Sequence, residues 1–119
     1  MAKHITLGKR GEELARKYLK EKGYRILDTN WRHGHDEVDI IAMDGDELVI
    51  VEVKTRSSDR YGEPEEDVGP AKEKFLIRAT EAYLEEKDLD VNSRFDIISI
   101  ILNKNEFRIN HIEDAFYPE

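Results

Sequence analysis

Three charged residues, Asp39, Glu52 and Lys54, stand within stretches that are otherwise mostly apolar. Asp39 lies in residues 37–43 and the other two lie in residues 48–54, and both stretches have the composition of β-strands. Side chains alternate between the faces of a strand, so Glu52 and Lys54 share one face. Two carboxylates and an ammonium together are costly to desolvate unless they pair or bind a metal ion. The pattern therefore indicates a metal-binding or catalytic site, with a Glu–Lys pair on a solvated sheet face as the alternative.

The segment between the two predicted strands decides whether Asp39 joins the other two residues. It reads Asp-Gly-Asp-Glu over residues 44–47, and Asp-Gly is a strong hairpin signal. A loop of residues 44–45 places Asp39 diagonal to Glu52, and a loop of residues 44–47 places the two directly opposite each other. In both registers we expect the carboxylates to come close enough to share one ion at about 2.0–2.6 Å. A loop of odd length without a bulge would send them to opposite faces.

Helical and strand-like patterns elsewhere predict the elements that position these residues. Apolar and small residues at helical spacing predict one helix over about residues 5–22 and another over about residues 71–87. Further strands are predicted over the ranges 24–31, 94–102 and 106–110. The order α-β-β-β-α-β-β predicts an α/β fold with a mixed central sheet flanked by helices.

The breaker-rich segment 55–69 is predicted to be a long, mobile loop that borders the site.

Length and composition limit what the chain can be. With 119 residues, we expect residues 1–119 to form a single domain. The absence of cysteine leaves carboxylates, carbonyls and imidazoles as metal ligands, which favours hard cations such as Mg²⁺. No apolar run approaches the roughly 18 residues of a membrane span, so we expect a soluble, cytoplasmic protein.

The charge distribution does not decide the function. A net charge of −8 argues against a general nucleic-acid binder. Residues 1–35, however, carry nine Lys and Arg against four Asp and Glu, which permits a basic patch on an acidic protein. Solvated helix faces and an acidic remainder explain the same counts.

Asp39 followed by Glu52-Val53-Lys54 resembles the core of the PD-(D/E)xK nuclease superfamily. The whole chain more closely resembles the YraN-like family of small uncharacterised bacterial proteins, which are similar to archaeal Holliday junction resolvases. The residues that carry this resemblance are Gly8, Gly11-Glu12, Ala15, Tyr18-Leu19, Gly23-Tyr24, Ile26-Leu27, Asn30-Trp31, Glu37 to Ala42, Val51 to Arg56, Tyr61-Gly62, Lys72, Arg94-Phe95-Asp96 and Asp114-Ala115-Phe116. Asp36 departs from the pattern, because the family usually has Gly before Glu-x-Asp.

The resemblance implies a restriction-endonuclease-like, three-layer core and a metal-dependent endonuclease that acts on DNA, with branched or junction DNA among its candidate substrates. In that hypothesis Asp39, Glu52 and the carbonyl of Val53 bind Mg²⁺ or Mn²⁺. Lys54 would position or deprotonate the attacking water, or stabilise charge on the phosphate. By the resemblance, Glu12 reaches the metal as well.

Other assignments stay open at this point. Arg56 and Lys72 match the family pattern and are candidates for phosphate contacts, although plain surface charges are the common alternative. Resolvase-like relatives act as dimers, so a homodimer is expected if the protein cuts two strands symmetrically. The competing hypothesis is a non-catalytic module on a nuclease fold that binds nucleic acid or a protein partner.

Several further side chains have both a functional and an ordinary interpretation. His33 and His35 could form a metal pair or a general base, but a polar turn is the simpler interpretation. Trp31 and Tyr61 could stack on unpaired bases, whereas a lone Trp at a strand end is more often core or interface. Glu37 could orient a metal ligand or simply lie at the edge of its strand.

Overall fold

The computed structural model describes residues 6–58, 62, 64–104 and 106–118. Along the chain these form helix α1 (Leu7–Glu21), strands β1 (Arg25–His33), β2 (Asp36–Asp44) and β3 (Glu47–Arg56), a short 3-10 helix (Pro64–Asp67), helix α2 (Pro70–Glu86) and strands β4 (Ser93–Leu102) and β5 (Phe107–Ile112). The predicted α/β class and the order α-β-β-β-α-β-β are confirmed. A helix able to cross a lipid bilayer is absent from the described part of the chain.

The five strands form one mixed sheet in the order β1-β2-β3-β4-β5. All neighbouring pairs are antiparallel except β3 and β4, which are parallel. A parallel pair needs a long connection, and α2 lies within it. The result is a three-layer arrangement of helix, sheet and helix, compatible with the restriction-endonuclease-like core that the resemblance implied.

Each helix covers one face of the sheet with its own apolar cluster. On one face Ala15 and Leu19 of α1 pack with Ile40, Val51 and Ile98. The opposite cluster joins α2 to the sheet through Phe75, Leu76, Ala79, Tyr83, Ile41, Ile50 and Phe95. Residues of β3 therefore alternate between α1 and α2, as the predicted alternation along residues 48–54 required.

The β2–β3 hairpin differs from both predicted loops. Asp44 pairs with Glu47, so the turn consists of Gly45 and Asp46 alone, and Gly45 has a φ of 63°. A two-residue hairpin turn needs this left-handed conformation, which glycine adopts without strain. The register nevertheless equals that of the longer predicted loop, because both place Met43 opposite Leu48.

The segment predicted as a loop over residues 55–69 is partly regular. Thr55 and Arg56 extend β3 by pairing with Ile100 and Ile101 of β4. The 3-10 helix and buried Val68 follow. The prediction was wrong for these residues because a neighbouring strand supplied partners that local composition does not reveal. Tyr61 lies outside the described residues.

The predicted burial of strand 94–102 is confirmed over residues 94–100, and this strand carries a charged network. The Arg94 guanidinium bonds to both carboxylate oxygens of Asp96, at 2.9 and 3.0 Å, and to the Tyr24 hydroxyl at 2.7 Å. His111 Nε2 lies 2.7 Å from Asp96 Oδ2. Burial opposes ionisation of Asp96, but the bond from His111 and the Arg94 charge hold its pKa below the usual value.

Replacing Asp96 by Asn should lower the free energy of unfolding by about 3 kcal/mol at pH 7, because Arg94 loses a buried counter-ion. Since the folded pKa of Asp96 is depressed, its contribution is present above the unfolded pKa of about 4 and is lost as the pH falls through the folded value. The free energy of unfolding measured in urea should therefore differ between variant and wild type by an amount that shrinks as the pH falls below about 4. The exposed Asp90→Asn is the control. A difference that stays constant with pH would contradict this account.

A close approach between α1 and β3 occurs at Gly11. A Cβ atom placed there would lie 1.9 Å from Thr55 Oγ1, whereas a Cβ at Gly8 of the same helix would meet nothing within 4 Å. Gly11 therefore lets α1 lie directly on the end of β3.

Gly11→Ala should destabilise the protein by about 1–3 kcal/mol through overpacking against Thr55. Gly8→Ala, in the same helix, should stabilise it by up to about 1 kcal/mol, because Ala favours the helix. Thermal or chemical unfolding of the two variants measures the contrast, and equal effects of both would refute the steric explanation.

Candidate functional site

Asp39 lies where β2 and β3 part. The paired positions of these strands run from Asp44 and Glu47 to Ile40 and Val51, so Asp39 is the next residue of β2. Its Oδ2 accepts a hydrogen bond from the backbone N–H of Val53 at 2.8 Å. The side chain thus satisfies a strand donor beyond the end of the ladder. The gap that opens between β2 and β3 beyond the pair Ile40 and Val51 is called the fork, and the Asp39 carboxylate is fixed within it.

Glu52 is only 2% exposed and lies on the α2 face of β3. Among the described residues its Oε1 has no hydrogen-bond partner. Burial raises its pKa well above the usual range, and the nearby Asp39 carboxylate raises it further, against the opposing effect of two lysines. Glu52 is therefore a buried acid with one oxygen, Oε1, left without a hydrogen-bond partner within the described chain.

Lys54 comes next on the same face of β3, and its Nζ lies 3.9 Å from Glu52 Oε2. Lys72, in the first turn of α2, brings a second ammonium to 3.5 Å from the same oxygen. The structure thus brings Asp39, Glu52 and Lys54 together at the fork.

The oxygen atoms at the fork fit a hard divalent cation. Two carboxylates meet there, one of them buried with an unpartnered oxygen, and Mg²⁺ and Mn²⁺ prefer oxygen ligands. A buried carboxylate oxygen without a hydrogen-bond partner is costly, and a bound cation would reduce that cost. Asp39 and Glu52 are the side chains that could hold it.

Glu12 is near this site without joining the two carboxylates. Its Oε1 accepts a hydrogen bond from Asn30 Nδ2 at 2.9 Å. In β1, Asn30 falls opposite Asp39, because its neighbours pair with Ile40 and Val38. The ligand atoms of these three carboxylates, from Glu12, Asp39 and Glu52, do not all lie within 4.8 Å of one another. Glu12 is therefore held one side chain away, by Asn30.

Both candidate phosphate contacts are engaged in ion pairs. Arg56 pairs with Asp67 at the end of the 3-10 helix and also donates to the Thr55 carbonyl. Lys72 donates to Asp36 and to the carbonyl of Glu37 in β2.

The remaining sequence candidates make other contacts or are exposed. Trp31 packs partly buried against the α2 cluster, with its ring edge-on to Tyr83 at 5.1 Å. His33 stacks on Trp31, and His35 is exposed in the turn before β2. The Glu37 carboxylate pairs with Arg32 at 2.9 Å instead of orienting a ligand at the fork.

Sequence reasoning missed a second polar cluster on the other face of the sheet. Asp96, His111 and Glu113 are close enough to hold a metal ion, with ligand atoms within 4.8 Å. Arg94 already neutralises Asp96 and lies 3.6 Å from Glu113, so a positive charge occupies this cluster. The signal that found Asp39, an acid within an apolar strand, would also have found Asp96. His111 had no such signal.

A model of the uncharacterised protein family UPF0102 matches residues 11–100 of the chain. A member from Flavobacterium psychrophilum is 51% identical over 117 residues, 98% of each chain. A member from Bacteroides thetaiotaomicron is 52% identical over 118 residues, which cover 99% of this chain and 98% of the relative. These matches confirm the resemblance to the YraN-like family. The chain belongs to family UPF0102.

Proposed function

We propose that this protein is a metal-dependent endonuclease that hydrolyses phosphodiester bonds in DNA at the fork between β2 and β3. The observation that carries the proposal is the buried Glu52 carboxylate, whose Oε1 has no partner in the described chain and which faces a second carboxylate, Asp39. A purely structural acid at this depth would be expected to have hydrogen-bond partners. Perturbed acids of this kind concentrate at functional sites.

Asp39, Glu52 and the Val53 carbonyl are the proposed metal ligands. Val53 directs its N–H towards Asp39, and in an extended strand the carbonyl of the same residue points to the same side. When bound, Mg²⁺ or Mn²⁺ supplies positive charge that stabilises the phosphate in the transition state and makes water more acidic. Glu12, held by Asn30, adds a negative charge beside these ligands.

Lys54 is the proposed residue that acts on the attacking water. Its Nζ is 3.9 Å from Glu52 Oε2, beyond the length of a good hydrogen bond. The ammonium therefore has donors available for a water or a phosphate oxygen next to the metal ligands. From this position Lys54 would orient the water and stabilise negative charge on the phosphate.

The charge of α1 supports a nucleic acid as the substrate. Its outward face exposes Lys9, Arg10, Lys17 and Lys20 beside two exposed acids, Glu13 and Glu21, so it carries a positive excess in a protein whose net charge is −8. Arg56 would contact phosphate by exchanging its present partner Asp67. Symmetric cutting of two strands, as in a DNA junction, would require two sites and hence a homodimer.

Asp39→Asn and Lys54→Ala should each reduce Mn²⁺- or Mg²⁺-dependent cleavage by roughly 100-fold or more. DNA affinity should persist, and for Asp39→Asn it should rise slightly because a charge that repels phosphate is lost. Cleavage and gel-shift assays on branched, flapped, single-stranded and duplex oligonucleotides measure both properties. Asp46→Asn and Lys104→Ala, at exposed positions, are the matched controls.

If the wild type cuts none of these substrates with either metal, yet binds nucleic acid or a protein partner in a way that these substitutions leave unchanged, the endonuclease proposal fails. The non-catalytic module would then take its place.

Divalent metal should also stabilise the folded protein. A cation at a hundredfold excess over its Kd contributes about 2.7 kcal/mol, which corresponds to a rise in Tm of roughly 8–15 °C for a domain of this size. Glu52→Gln should remove this rise, because it replaces a charged ligand by a neutral amide. An unchanged rise in that variant would locate the cation elsewhere, for example at Asp96, His111 and Glu113.

A further inference from the structure

The Lys72 ammonium is held by three oxygen atoms at the start of β2. Its Nζ lies 3.0 Å from Oδ1 and 3.0 Å from Oδ2 of Asp36. The carbonyl oxygen of Glu37 is 3.2 Å away. An ammonium has three N–H donors, and these three acceptors account for them.

Glu52 provides a fourth oxygen atom near Lys72, at a longer distance than the other three. Its Oε2 lies 3.5 Å from Nζ, an ion-pair distance that exceeds the 2.7–3.2 Å typical of N–H···O bonds. The ammonium therefore faces Glu52 with its charge while its donors are directed to Asp36 and Glu37.

We propose that Asp36 is a positioning residue that holds Lys72 off Glu52 and so keeps the Glu52 carboxylate open to a divalent cation. This inference rests on the proposed metal site. Without Asp36, two donors of Lys72 lose their acceptors, and the other carboxylate at ion-pair distance among the described residues is the buried Glu52. A charge-assisted bond to that carboxylate would be strong in its buried setting, and it would compete with the cation.

The local structure suits Asp36 to this task. Its Oδ1 also accepts the Glu37 backbone N–H at 2.7 Å, which fixes the side chain towards Lys72. The Asp36 side chain is 51% exposed, so its charge needs little desolvation, whereas Glu52 is buried.

The position of Lys72 is fixed from the helix side as well. The ammonium lies 4.9 Å from the centroid of the Phe75 ring, one turn further along α2. Among the described residues Lys72 thus has two carboxylates at ion-pair distance, Asp36 and Glu52, and Asp36 decides which one receives its hydrogen bonds.

A double-mutant cycle on Mn²⁺ affinity tests the proposal without any measurement of cleavage. Titration calorimetry at fixed pH and ionic strength would compare wild type, Asp36→Ala, Lys72→Met and the double variant. Asp36→Ala should weaken Mn²⁺ binding roughly five- to tenfold, and Lys72→Met should tighten it by a similar factor. In the Lys72→Met background, Asp36→Ala should change the affinity by less than about twofold.

The cycle separates positioning from a simple charge effect. Asp46→Ala, at the far end of the β2–β3 hairpin, measures how much the loss of one distant negative charge matters. Equal weakening by Asp36→Ala in both backgrounds would mean that Asp36 acts through its own charge, and the proposal would be overturned. Unchanged affinity in both single variants would overturn it as well.

Two further outcomes are distinguishable from these. If the wild type binds no Mn²⁺, or if Glu52→Gln still binds Mn²⁺ as the wild type does, the proposed metal site itself is wrong. The positioning role of Asp36 is then wrong as well. If Asp36→Ala fails to fold by circular dichroism, Asp36→Asn replaces it in the cycle. That variant keeps one acceptor for Lys72, so its effect should have the same sign and be smaller.

Discussion

The hydrogen bond from the Val53 N–H to the Asp39 carboxylate is the interaction on which the rest of the site depends. Strands β2 and β3 must part for side chains to gather between them, and parting leaves strand donors without ladder partners. Buried backbone groups left unpaired are costly, so an open fork inside a sheet requires a substitute acceptor. Asp39 provides it and thereby brings a carboxylate next to Glu52. Asp39 therefore both accepts the otherwise unpaired Val53 N–H at the fork and supplies one of the two carboxylates.

The two buried acids of the central strands, Glu52 and Asp96, show how differently the protein treats charge on its two faces. Asp96, on the α1 face, is bound by Arg94, His111 and the Asp114 N–H, and its pKa is lowered. Glu52, on the α2 face, has an unpartnered oxygen within the described chain, and its pKa is raised. The hydrogen-bonded network around Asp96 stabilises strands β4 and β5, which contain Arg94, Asp96 and His111. A buried acid with an unpartnered oxygen is a cost to folding, and perturbed acids of this kind concentrate where they serve binding or catalysis.

The fold, and the pair of acids Asp39 and Glu52, were predictable from the sequence because both depend on local residue patterns. Helical spacing and strand alternation give the elements, and Asp39 and Glu52 stand out as charges within apolar strands. The exact turn residues, Gly45 and Asp46, were not predicted. Loops of two and of four residues place the same side chains on the same face of the sheet, so the pattern of the strands does not distinguish them. Arg56 was assigned to a loop because its partner strand, β4, lies about 40 residues further along the chain. The network of His111 and the contact between Asp36 and Lys72 depend on tertiary proximity, which no local pattern contains.

The crossover through α2 also has a kinetic consequence. Strands β2 and β3 are joined by a two-residue turn, so their hairpin, with Asp39 and Glu52, can form in microseconds. The parallel ladder of β3 with β4 first requires closure of the long segment between them, which is entropically costly and slow. Lys72 reaches Glu52 only when that crossover docks. During folding the hairpin therefore brings Asp39 and Glu52 together, with Lys54 of the same hairpin, before the Lys72 ammonium arrives. Ionic conditions that screen the two acids at that stage should speed the pairing of its strands.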